Sequence, residues 1–484
     1  MTQAELAKAL KTSQSAVARM ENGEQNFSTE MLSKLSVALK HNVITLASGA
    51  MSFRIDGGRK LSGTVRTNAS KNSAVGLLCA SLLNKGRTEF RGMPRIEEVN
   101  RILEVLQSVG VSAKWLTDTD LEIIPPKKFK MGNLNIEAAV KTRSALMLLG
   151  VLIHDLPKFE LPYPGGCKLG RRSVRPHLYA LEKLGVAIVA TKGNYHVSVK
   201  KLRPSDIVLY EAGDTVTENA LMAASRIPGK TTLKFTSANY MVQDVAHYLE
   251  ALGVKVDGIG TTTMTVHGVS RIKKDVVYYP SEDPIEAMLF LSLAATTNSS
   301  ITIERAPIDF LELELLKLEK MGFKYKILKR YVSRNGFTNL VDIKTLPSKL
   351  VALEEKLHAQ PYPGLNIDNL PFFVPVAARA KGTTLIHDWV YENRAIYYME
   401  LQKLGANIIL ADPHRVYVEG PTEFRPAELV CPPALRPAVI ILIAMLAAPG
   451  VSILRNVYSI NRGYEDLVNR LNRLGARVEI LRGM

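Results

Sequence analysis

One motif recurs six times along this chain and limits what it can fold into. An apolar helical segment ends on a glycine at Leu103 to Gly110, Leu178 to Gly185, Tyr248 to Gly253, Leu315 to Gly322, Tyr398 to Gly405 and Leu467 to Gly475. The glycines are spaced 68 to 83 residues apart. Each reads as a helix C-cap, and a β-rich stretch follows, as in Val186 to Ala190 or Ala476 to Ile480. A second apolar helix precedes most copies, for example Val75 to Leu83, Leu146 to Ile153, Ala287 to Ala295 and Val439 to Ala447. Repetition at this period marks an architecture built from one supersecondary unit, here helix, strand, helix, strand. Six units predict an α/β fold of two similar domains with three units each.

Residues 2 to 44 stand outside the repeat. Ala4, Leu6, Ala7 and Leu10 form one helical stripe, Lys11 to Ser13 a turn, and Ala16, Val17 and Met20 a second stripe closed by Asn22-Gly23. A third helix opens at Ser28, a good N-cap, and runs through Leu32, Leu35 and Leu39. The spacing resembles the helix-turn-helix of phage-repressor-type DNA-binding domains, although the family's first helix is missing. By that resemblance Gln14, Ser15 and Arg19 face the major groove and DNA is a partner. A dimerisation or purely structural module fits the same pattern.

The formal charge of +16 permits polyanionic partners. It lies almost wholly beyond residue 50, because the first 50 residues carry only +1. Three scattered cysteines, Cys79, Cys167 and Cys431, argue against a disulfide framework and for the cytoplasm. The longest apolar run, Ala438 to Ala448, is too short to span a bilayer and reads as a buried helix, so no membrane role is expected. Residues 164 to 172, Pro-Gly-Gly-Cys-Lys-Leu-Gly-Arg-Arg, surround Cys167 with Lys168, Arg171 and Arg172. Neighbouring cations favour a thiolate, and glycines let backbone N–H groups approach an anion. An ordinary basic surface loop is the alternative reading.

The six repeats, Lys71-Asn72 at a helix start, the Pro-Gly-Gly-Cys loop and Asn461 to Glu465 together resemble the enolpyruvyl transferases, and among them the UDP-N-acetylglucosamine 1-carboxyvinyltransferases. The resemblance runs from residue 51 to the end. It implies two inside-out α/β barrels, one of residues 71–278 and one of residues 51–70 with 279–484, after a helix-turn-helix module at 1–48. It also implies transfer of the enolpyruvyl group of phosphoenolpyruvate to the 3-hydroxyl of UDP-N-acetylglucosamine, an early step of peptidoglycan synthesis, with no cofactor and no metal. Lys71, Arg143, Arg172, Arg436 and Arg462 match the family's cations around phosphoenolpyruvate. Cys167 matches its proton-delivering cysteine, the one alkylated by fosfomycin, and Asp368 the aspartate on the attacking hydroxyl. Asn72, His177 and Arg394 match further substrate-site positions.

The chain also departs from the family. Ala434 replaces a second active-site aspartate two residues before Arg436, Ser173 to Pro176 replace Pro-Val/Ile-Asp-Leu before His177, and Gly213 to Thr217 replace a nucleotide loop. Asn239 to Val242 stand where Arg-Glu-Pro-Glu is common. These changes gather on the acceptor side. They keep two alternatives open: transfer to another uridine nucleotide such as UMP, or a degenerate transferase that senses a nucleotide and binds DNA.

Overall fold

The computed structural model describes residues 2–10, 12–21, 31, 51–163, 165, 173–191 and 193–482. The chain forms two compact units, Met1–Ser52 with Ile480–Met484, and Phe53–Glu479.

In the first unit, helix Gln3–Leu10 opens with a reciprocal cap. The Thr2 N–H donates to Glu5 Oε2 at 2.7 Å, and the Glu5 N–H to Thr2 Oγ1 at 3.3 Å. Ser13 accepts from the Ala16 N–H at 3.2 Å ahead of helix Gln14–Glu21. Ala7, Leu10, Val17 and Met20 close the small core between the two helices, with Leu6 and Met31 against it. Ala4 belongs to the expected stripe but is exposed, since the helix needs only one turn-spaced pair to meet its partner. The helix expected from Ser28 lies outside the described residues, apart from Met31.

The second unit repeats one sheet pattern. Strands Ser62–Arg66, Ser300–Pro307, Asn339–Leu346 and Lys324–Val332 join through one parallel and then two antiparallel pairings. The same order recurs in the sheets built on Thr88–Phe90, Gly229–Lys234 and Gly382–His387. Among the described residues, three sheets draw all their strands from residues 88–278, and three from residues 52–66 and 300–481. The N-terminal strands Ser52–Gly57 and Ser62–Arg66 therefore pair with partners far along the chain, Gly450–Arg455 and Ser300–Pro307.

Helices Pro284–Thr297 and Leu435–Ala447 are almost wholly apolar after a first turn that carries Glu286 in one and Arg436 in the other. A helix of that kind gains by burial on all sides, and both lie in the interior. The six repeat glycines, Gly110, Gly185, Gly253, Gly322, Gly405 and Gly475, all have φ between 84° and 99°. Each takes its N–H back to the helix that it ends, as Gly185 does to Glu182 O at 3.0 Å. Only glycine holds this left-handed backbone without strain. At Gly185 a Cβ would also meet Lys201 O at 2.1 Å, whereas at Gly475 it would meet nothing within 4 Å. Gly475→Ala is therefore expected to cost about 1–2 kcal/mol, and Gly185→Ala more, measured as the drop in thermal unfolding temperature. Equal losses would mean that the close approach at Gly185 is relieved by backbone movement.

Candidate active site

Helix starts and short turns bring the predicted residues to one cavity of about 740 Å³. Lys71 and Asn72 open helix Lys71–Ala80, where Ser70 Oγ accepts from the N–H groups of Asn72 (3.1 Å) and Ser73 (3.3 Å). Arg143 follows Thr142, whose hydroxyl caps the short 3-10 helix Arg143–Met147. Arg436 lies in the first turn of Leu435–Ala447, and Arg462 caps the C-terminus of Tyr458–Asn461. These four cations line the cavity together with Asn72, His177, Asp368 and Arg394. Cys167 and Arg172 lie outside the described residues. Gly165, at the start of their loop, packs where a Cβ would sit 1.8 Å from Val140 O.

Asp368 sits at the centre of the charges. Arg436 Nη2 donates to its Oδ2 at 3.2 Å, and Arg394 Nη1 lies 3.7 Å from its Oδ1. Burial alone would raise this carboxyl, but Arg436, Arg394 and Lys71 outweigh it and hold Asp368 below the ordinary aspartate value. It is ionised at neutral pH and able to accept a hydrogen bond. The Asp368 N–H is held by Asn366 Oδ1 at 2.9 Å, and the following 3-10 helix Leu370–Phe372 has Asn369 at its N-cap.

Arg394, Arg436, Arg462 and Lys71 each face a counter-group. Arg394 is 1% exposed and grips the buried Asp388 with Nε (2.6 Å) and Nη2 (2.8 Å), while the Tyr398 hydroxyl donates to the same carboxylate at 2.5 Å. Most of its fork is thus committed to Asp388, and only Nη1 reaches toward Asp368. Arg436 Nη1 donates to Tyr464 Oη at 2.6 Å. Arg462 Nε lies 3.5 Å from Glu98 Oε2, a contact that joins the two sheet groups across the cavity, and Thr142 Oγ1 donates to Glu98 Oε1 at 2.6 Å. Burial depresses Lys71, which Glu98 and Asp368 partly offset.

On the other wall, His177 is a buried neutral imidazole. Asn219 Nδ2 donates to its Nδ1 at 3.0 Å, which assigns the ring proton to Nε2, 3.5 Å from Thr215 Oγ1. Burial, reinforced by Arg143, pushes His177 down to about 3. Asp214 accepts from Ser237 Oγ (2.6 Å) and Asn239 Nδ2 (3.3 Å), and burial raises it. Glu218 is also buried beside the cavity and raised well above the usual range, first by burial and then by Asp214 and Asp244. The Asn72 amide donates to Tyr240 Oη at 3.2 Å. Arg175, one of the departures from the family pattern, is exposed and does not line the cavity.

Sequence reading missed Glu98, Asp388 and Glu218, and met Tyr240 only within the departure at Asn239 to Val242. Glu98 falls in the first turn of helix Glu97–Ser108, where acidic side chains are common, and Asp388 belongs to no motif. The only available signal was that so many buried cations require carboxylates nearby.

A family model described as EPSP synthase (3-phosphoshikimate 1-carboxyvinyltransferase) matches residues 55–471. The chain belongs to this family of enolpyruvyl transferases. A helix-turn-helix model matches residues 1–40. The UDP-N-acetylglucosamine 1-carboxyvinyltransferase of Bradyrhizobium diazoefficiens is 33% identical over 88% of this chain and 97% of its own length. That of Treponema denticola is 32% identical over 88% and 99%. Among solved structures, the enolpyruvyl transferase NikO of Streptomyces tendae superposes with a TM-score of 0.78 at 24% identity, covering 90% of this chain and 99% of that one. The EPSP synthase of Acinetobacter baumannii gives 0.69 at 19%, over 89% and 100%. The fold is accordingly that of the enolpyruvyl transferases, two inside-out α/β barrels of three repeats, with a small helix-turn-helix segment ahead of them. Among the described residues no helix is long and apolar enough to cross a membrane.

His177 sets a pH dependence in this transferase. Its folded pKa lies below the unfolded value of about 6.5, so the unfolded chain takes up a proton that the fold refuses. The associated stability is present above pH 6.5 and lost as the pH falls toward 3. His177→Gln should shrink the loss of melting temperature between pH 7 and pH 5; an unchanged loss would assign it to other groups.

Proposed function

We propose that this chain transfers the enolpyruvyl group of phosphoenolpyruvate to the 3-hydroxyl of UDP-N-acetylglucosamine with release of phosphate, the first committed step of peptidoglycan synthesis in the cytoplasm. The observation that carries the reading is the convergence of Lys71, Arg143, Arg436 and Arg462 on the cavity that holds Asp368, in a chain whose curated relatives bear the name of that activity. A donor with a phosphate and a carboxylate calls for several cations, and arginine forks suit both groups.

In this reading Asp368 accepts the hydrogen bond of the attacking hydroxyl, and Arg394 keeps Asp368 in place. The hydroxyl oxygen bonds to C2 of the donor, its proton leaves toward Asp368, and a proton is delivered to C3. The tetrahedral intermediate then loses phosphate from C2 and the proton from C3, which restores the double bond. The resemblance assigns proton delivery to Cys167 and a donor contact to Arg172. Asn72 orients the sugar, and His177, being neutral, supports the wall through hydrogen bonds instead of charge. No metal or cofactor enters these steps. The domain division follows the same reading: a module at 1–48, one barrel at 71–278, and the other at 51–70 with 279–484.

Ser173 and Gly213 to Thr215, departures from the family pattern that line the acceptor wall, favour a second acceptor class, another uridine nucleotide such as UMP. Full-length protein with phosphoenolpyruvate should release phosphate with UDP-N-acetylglucosamine or with UMP, and the faster acceptor identifies the class. Asp368→Asn should lower kcat by about 10²–10⁴-fold. Silence with every uridine nucleotide would reject the transfer and favour a nucleotide sensor.

The N-terminal segment is proposed to bind DNA through Gln14, Ser15 and Arg19, all exposed on or beside one helix face. Arg19→Ala should weaken DNA binding and, if Arg19 meets a phosphate, reduce the salt slope by about one. Binding that ignores both salt and sequence would reject this role.

A further inference from the structure

Phe235 holds a backbone conformation that costs energy while half of the residue stays exposed. Its φ is +61°, in the left-handed region that bulky side chains avoid. The other described non-glycine residues there are Asn298, Asn456, Asp466 and Arg305. Asn and Asp tolerate this conformation, and Arg305 is held by an ion pair with the buried Glu282. Phe235 has neither excuse. Its side chain is 51% exposed and lines the large cavity. Strain kept at such a place is a mark of a preorganised ligand contact.

The surroundings indicate what the ring meets. Tyr210, 72% exposed, lines the same cavity. Strands Asp206–Val208 and Gly229–Lys234 pair in parallel, with Val208 opposite Lys234 and the Leu209 N–H donating to Lys234 O at 3.0 Å. Tyr210 and Phe235 therefore leave adjacent strand ends. From the other sheet group comes Trp389, whose Nε1–H donates to Ala359 O at 2.8 Å while the side of the ring stays open. Two residues after Phe235, Ser237 donates to Asp214 at 2.6 Å, so a carboxyl lies beside this platform. Aromatic faces next to a carboxyl suit an uncharged planar ring that bears N–H donors, and they disfavour a phosphate.

We propose that Phe235 is a specificity-determining residue for the acceptor, forming with Tyr210 a platform on which the pyrimidine base of a nucleotide stacks. This rests on the reading of the cavity as a nucleotide-accepting transferase site. It also explains why the strain persists: the fold gives up stability at Phe235 and recovers it when the base is bound.

The test uses the full chain and two variants. Phe235→Gly removes both ring and strain, and Phe235→Leu keeps bulk and strain but removes the aromatic face. UMP and ribose 5-phosphate, which lacks the base, are titrated by calorimetry and by tryptophan fluorescence. The chain has two tryptophans, of which Trp389 alone lines the cavity. The expected result is a melting temperature above wild type for Phe235→Gly. UMP affinity should fall about ten-fold in both variants, with ribose 5-phosphate affinity unchanged. UMP affinity equal to wild type in both variants, or an equal loss for ribose 5-phosphate, overturns the platform. Wild-type protein that binds UMP through Phe235 but releases no phosphate upholds the platform and rejects the transfer. Wild-type protein that does not bind UMP overturns the platform.

Discussion

Cations that converge on one small volume repel one another, and the site exists because carboxylates from other parts of the chain hold them in place. Asp368 lies between Arg436 and Arg394, Asp388 takes the rest of Arg394, and Glu98 faces Arg462. Removing one member of such a buried pair costs roughly 3–5 kcal/mol, because the other charge is left without compensation. The array therefore stands or falls as a unit, and its members come from segments hundreds of residues apart.

The repeat architecture makes that convergence possible. Every unit ends its helix on a left-handed glycine and turns the chain back into a strand, so helix starts and strand ends recur at equivalent places. Lys71, Arg143 and Arg436 each use such a helix start, where capping by Ser70 and Thr142 fixes the first two. At Ala434 the third start lacks a side-chain cap, and a carboxylate that the family places there is gone. Arg436 is instead steadied by Tyr464 and Asp368, with Asp283, pushed up to about 6 by burial, close by.

Much of this was legible in the sequence. The period of the glycines announced six units, and all six glycines have the backbone that a cap demands. The apolar run Ala438 to Ala448 marked its helix as interior. The cation positions were legible only through resemblance, since a lone arginine has no spacing signature. What stayed hidden depends on folding: Glu98 acquires meaning only when it is set against Arg462, far along the chain, and Asp388 only when a local turn brings Arg394 onto it. Phe235 was hidden for another reason, because a strained φ at a phenylalanine has no local sequence cue.

The Glu98–Arg462 contact has a kinetic side. An incoming anion that uses Arg462 meets a guanidinium whose Nε already faces Glu98 at 3.5 Å, so its gain there is reckoned against an existing partner. Glu98 thus offsets part of the positive charge gathered around Arg462. The same competition caps how tightly any anion is retained, and an anionic product can be exchanged for Glu98 without leaving a bare charge behind.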